Sequence, residues 1–177
     1  MLVLLVAAAV AVPASAAQIQ PGSLVLRPSD VPARMGFRVD RSQTGVRTNE
    51  REARQQPRVG PLFERWGRVT GYQLELERDR DVIGARVDVF RNARGADRML
   101  AWYDRELRRG GIGGLRRRAM ALGDRAYLYG GRSPAAFTLV VWREGRVLAI
   151  LAGIGIPQRT TLQLARTQER RIAAGLR

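Results

Sequence analysis

The chain has 177 residues, 45% hydrophobic, 27% charged and 6% aromatic, which fits one globular domain and excludes both a disordered polymer and a bundle of membrane helices. The 31 basic residues outnumber 16 acidic ones, giving a net charge of +15, and every basic residue is Arg because the chain holds no Lys and no His. Cys is absent too, so Ser-His-Asp and Cys-His catalysis, His- or Cys-ligated zinc, a Lys Schiff base, a Walker A loop and a disulfide framework are all excluded.

Met1 to Val12 is an unbroken apolar run, followed by Pro13 and the small residues Ala14, Ser15, Ala16 and Ala17. The run is shorter than the roughly 20 residues a spanning helix needs. It reads as a signal peptide over residues 1–17, cleaved after Ala16 or Ala17, although no basic residue precedes it. With no Cys near the cut there is no lipid attachment site. The expected product is exported, extracellular or envelope-associated, with no transmembrane segment in the mature protein.

Residues 18–61 read as an N-terminal strand and loop segment. Leu24-Val25-Leu26 is an apolar triplet expected to form a strand, Pro28-Ser29-Asp30 a turn or helix start, and Gly36 to Asp40 a second short strand. Residues 41–61 carry few apolar side chains and two prolines. They are expected to be a mobile loop with at most one helical turn after Thr48-Asn49.

Residues 62–177 carry the pattern of an α+β sandwich. Tyr72, Leu74 and Leu76 alternate with Gln73, Glu75 and Glu77, and Ile83, Ala85, Val87 and Val89 alternate with Gly84, Arg86 and Asp88. This is a hairpin turning at residues 78–81, with Arg86 expected near Glu75 and Glu77. Over 93–109, Ala96, Met99, Leu100, Tyr103 and Leu107 share one helical arc, and Gly110-Gly111 ends the helix. A Gly/Arg loop to Arg118 follows. Three strands come next, at 126–129, 137–142 and 146–154. The last is apolar on both faces and is placed centrally, with Ile150 at its middle. Thr160 or Thr161 caps a final helix over about 161–176 whose core side is Leu164, Ala165, Ile172 and Leu176. The fold class is therefore α+β: a mainly antiparallel sheet in the order ββα-βββ-α, with helices packed on it.

Arginine distribution is the main functional signal. Arg94, Arg98, Arg105 and Arg109 lie opposite the apolar arc of the first long helix, and Arg159, Arg166, Arg170 and Arg177 opposite the core side of the second. If both helices pack on one face of the sheet, these rows merge into a basic face for phosphate-rich polymers or anionic lipid heads. The candidate anion-binding residues are Arg94, Arg98, Arg105, Arg109, Arg166 and Arg170. The glycine run 110–114, flanked by Arg108, Arg109, Arg116, Arg117 and Arg118, could form an anion nest. It leaves a helix C-terminus, however, where the dipole opposes anions. Asp124, in Leu122-Gly123-Asp124, is the carboxylate to watch for acid chemistry, although a turn or cap role explains it better. Trp66, Trp102 and Trp142 suit packing. No nucleic-acid motif appears, so despite the charge a nucleic acid is not the expected physiological partner, and no cofactor or metal is implied.

From about residue 62 onward the chain resembles small exported envelope proteins of high-GC Gram-positive bacteria. The resemblance rests on Trp66-Gly67-Arg68 with Gly71-Tyr72, Leu122-Gly123-Asp124, the hairpin Val140 to Arg146, Leu164 to Gln168 and Arg171-Ile172, preceded by Leu26 to Pro32 and Gly36-Phe37. The strand order is similar to that of PsbP-like α/β sandwiches. The resemblance implies a non-catalytic binding or assembly module and transfers no site residue; the Arg-rich helical face makes an anionic polymer, a lipid or a protein partner the expected contact. The alternative is a small-ligand carrier or carboxylate-based enzyme with a pocket between sheet and helices.

Overall fold

The computed structural model describes residues 19–109, 115–131 and 136–177. The hairpin of β3 (Arg68–Arg78) and β4 (Asp81–Phe90) forms where the alternation places it, with Leu74 opposite Ala85 and Leu76 opposite Ile83. Its turn uses Asp79 at φ 53°, a left-handed conformation that Asp tolerates better than most side chains. β5 (Arg116–Met120), β6 (Arg125–Gly131), β7 (Phe137–Glu144) and β8 (Val147–Ile154) complete the main sheet. With β1 (Arg38–Val39) its order is β1-β3-β4-β8-β7-β6-β5, every pairing antiparallel, and β2 (Gly45–Arg47) also pairs with β3.

β8 lies between β4 and β7, as its apolarity on both faces predicts. That apolarity has a further consequence, because each face needs a cover. Leu148 points into one cluster, formed with Phe63, Met99 and Leu100, which brings in α3 (Gly60–Trp66) and α4 (Ala93–Arg109). Ala149 and Leu151 point into the other, formed with Leu24, Leu164 and Ile172, which brings in α1 (Pro21–Leu24) and α5 (Gln158–Gly175). The molecule is a three-layer sandwich with its long helices on opposite faces of the sheet. Ile150, expected at the centre of the core, is only partly buried against the α4 side, whereas Leu148 and Leu151 are fully buried.

Four local expectations are corrected. The order after the hairpin is α-ββββ-α, because Arg116 to Met120 form an edge strand instead of loop. An edge strand pairs on one side only and needs no buried side chains, so β5 shows no apolar alternation. The triplet Leu24-Val25-Leu26 is not a strand. α1 ends at Leu24, and the extended Val25 and Leu26 are buried beside it.

Residues 41–61 are not a loop either. β2, α2 (Asn49–Gln55) and α3 occupy most of that span, and α2 starts where Thr48 Oγ1 accepts a hydrogen bond from the Arg51 amide at 3.2 Å. These polar residues fold because their charges are buried in pairs. Finally, Arg86 lies opposite Gln73, not among the glutamates of β3, and its side chain bonds Asp88 and Glu52.

Gly71 shows how tightly β3 is built around that charge cluster. A Cβ there would fall on Arg68 and Asp88 and lie 2.7 Å from the Val87 carbonyl oxygen, so Gly71→Ala must displace a buried ion pair. The expected cost is about 1–3 kcal/mol, measured by denaturant unfolding. An unchanged midpoint would contradict this packing.

Candidate functional site

Two clusters of ionisable groups stand out, and they differ in what they leave open to a ligand. The first is buried between β3, β4 and α2. Asp88 accepts hydrogen bonds from Arg68 Nε at 2.7 Å, Arg86 Nε at 2.9 Å and Arg86 Nη2 at 3.1 Å. Arg86 Nη1 donates to Glu52 at 3.0 Å, while Arg68 Nη1 and Nη2 donate to Asn49 Oδ1 and the Arg47 carbonyl. Burial alone would raise the Asp88 carboxyl, but the two guanidiniums outweigh it and hold it below the usual range. Burial pushes the nearby Tyr103 hydroxyl up to about 12. Each guanidinium nitrogen of Arg68 and Arg86 already has an acceptor inside the protein, so this cluster holds the N-terminal segment on the sheet.

The second cluster is open. Asp104 of α4 accepts hydrogen bonds from the Tyr129 hydroxyl and from Arg117 Nε, each at 2.6 Å, and pairs with Arg108 Nη2 at 3.3 Å. Burial opposes ionisation of Asp104, yet the bonds from Tyr129 and Arg117 hold its carboxyl below the ordinary range. Burial, together with that same carboxylate, drives the Tyr129 hydroxyl above its ordinary value. Arg117 also lies over the Tyr127 ring, 4.0 Å from its centroid, a cation–π contact. One carboxylate thus fixes an arginine of β5 against the C-terminal half of α4.

Register places the rest of β5. Arg117 is opposite Tyr129, whose side chain belongs to the α4 side, and Arg118 is opposite Leu128, which belongs to the α5 side. Side chains alternate along a strand, so Arg117 projects toward α4 while Arg116 and Arg118 project to the other face. All three are exposed. Arg117 and Arg108, joined through Asp104, make a basic corner where the sheet edge meets the end of α4, with Arg105 and Arg109 exposed on that helix and Arg116 and Arg118 on the opposite face of the edge.

Of the arginines that the sequence singles out, Arg94, Arg98, Arg105 and Arg109 lie exposed along α4, and among the described residues only Arg109 of these four has an ion partner, Glu106 at 3.6 Å. Arg166 and Arg170 lie exposed along α5 with Arg159 and Arg177. Because α4 and α5 cover opposite faces, the two rows do not merge into one surface. The glycine run 110–114 lies outside the described residues. Asp124 accepts from the Gly145 amide at 2.8 Å and pairs with Arg143 at 2.6 Å, fastening the β7–β8 turn. Trp142 is fully buried, while Trp66 and Trp102 are partly buried on the α4 side. Arg116 to Arg118 were visible in the sequence as flanks of the glycine run. Their place in a strand was not.

No protein-family model matches the chain, and a search of curated proteins finds no match. Among solved structures the fold is similar to the extracellular domain of PknH from Mycobacterium tuberculosis, with a TM-score of 0.57 and 11% identity, over 88% of this chain and 99% of that chain. At that identity the likeness is one of fold. Among the described residues, no helix is long and apolar enough to cross a membrane.

Proposed function

We propose that the protein is an exported, non-catalytic module of the cell envelope that holds an anionic component or protein partner on its arginine-rich surface. The observation that carries this reading is the basic corner. Asp104 joins Arg108 of α4 to Arg117 of β5 there, Arg105 and Arg109 are exposed on the same helix, and Arg116 and Arg118 flank Arg117 on the other face of the strand. The α4 row, Arg94 and Arg98 included, extends that corner along the helix. The α5 row with Arg166 and Arg170 is a separate surface on the far side. Export rests on the apolar N-terminus and is supported by the fold shared with an extracellular domain.

Two measurements test the reading. N-terminal sequencing of protein recovered from the medium or envelope is expected to begin at Ala17 or Gln18; an intact Met1 on cytoplasmic protein contradicts export. The mature protein is expected to bind vesicles containing anionic lipid, but not zwitterionic ones. That binding should weaken steeply with salt, because charge attraction is screened over about 10 Å at 0.1 M. Equal binding to both vesicle types removes the electrostatic basis of the proposal.

A further inference from the structure

We infer that the occupant of the basic corner is an acidic, extended segment of a partner protein that adds to β5 as a further strand; this rests on the anionic-partner reading above and specifies it. β5 is the terminal strand of the sheet, and among the described residues no strand pairs with its outer edge. An open edge presents a regular row of backbone donors and acceptors, which another extended backbone matches and a flexible polyanion does not.

Charge then selects the occupant. Arg116 and Arg118 stand on one face of the edge and Arg117 on the other, so an added strand meets positive charge on both sides. A second copy of this chain would set one arginine triplet against another, and like charges directly opposite disfavour that pairing. Acidic side chains at the same positions favour it.

Charges on an edge also serve simply to repel other strands. A purely repelling arginine needs no fixed position, whereas Arg117 is held by Nε on Asp104 and by its stack on Tyr127. Because the bond to Asp104 uses Nε, the terminal nitrogens are not the atoms committed to it, and the exposed Arg105 and Arg109 lie on the neighbouring helix. Asp104 and Tyr127 thus set Arg117 in place on the α4 side of β5, and Arg116 and Arg118 remain exposed on the other face, available to a carboxylate-bearing chain.

The probe is a blocked peptide alternating Glu and Val, compared with its fully N-methylated counterpart. The counterpart keeps every charge but has no backbone donor on either edge. The mature protein is expected to bind the parent at least about tenfold more tightly, since several backbone hydrogen bonds are lost on methylation. Bound parent peptide should slow amide exchange within residues 116–120. The Arg116→Gln/Arg118→Gln variant, checked for native circular dichroism, should bind the parent more weakly than wild type does. Equal affinity for the two peptides, or unchanged exchange at 116–120 under saturation, overturns strand addition while leaving an electrostatic surface in place. Binding to anionic vesicles with none to the parent peptide has the same meaning. Failure to bind either probe overturns the anionic-partner reading itself.

Discussion

Replacing Asp88 by Ala is expected to destabilise the protein by about 3–5 kcal/mol, because it strands the buried charges of Arg68 and Arg86 without their shared carboxylate. For a chain of this size that is a fall in Tm of roughly 10 °C or more. Glu64→Ala, an exposed acid on α3, is the control and should change little. The same carboxylate sets an acid limit. Its folded pKa is depressed, so its contribution is fully present above the unfolded value of about 3.9 and is lost as pH falls through the folded value. Wild-type stability should therefore drop below about pH 4 more steeply than that of Asp88→Asn. A loss under about 1 kcal/mol in Asp88→Ala would mean that the cluster is not the clasp between the N-terminal segment and the sheet.

Leu148→Asp is expected to abolish folding. Leu148 is fully buried between the central strands and α4, where a carboxylate has no partner and no water. Ile150→Asp, two residues along the same strand and partly exposed, should yield soluble but destabilised protein. Soluble yield and far-UV circular dichroism of the two variants read the difference. Equal behaviour would mean that the two side chains share one environment, contrary to the layering of sheet and helices.

The hairpin, α4, β7, β8 and α5 were legible because each carries an apolar period, of two for a strand or 3.6 for a helix. The double-sided apolarity of β8 located the sheet centre, and it also implies that both faces are covered. What local pattern does not record is pairing at a distance. Glu52 folds α2 onto the sheet through Arg86, 34 positions away, so a polar stretch that resembles a loop is in fact anchored. β5 was hidden for the opposite reason, since an edge strand of arginines satisfies its backbone on one side and buries no apolar side chain to mark its period. Helical amphipathicity revealed which side of α4 and α5 faces outward, but not that they face outward in opposite directions. The arginine rows were therefore legible singly, and their separation was not.

The claim that the basic corner, and not net charge alone, binds the anionic partner is tested most directly by three variants of equal net charge. One replaces Arg105, Arg109, Arg116 and Arg118 with Gln at the corner. The second replaces the α5 row of Arg159, Arg166, Arg170 and Arg177. The third replaces Arg34, Arg41, Arg54 and Arg58, which are exposed on the N-terminal segment. Arg47 is kept in all three because it is buried against Glu52. Affinity for the acidic Glu-Val peptide, measured at one fixed salt concentration, is predicted to fall roughly tenfold or more in the corner variant relative to the other two. Equal losses in all three would contradict recognition at the corner and leave only diffuse positive charge.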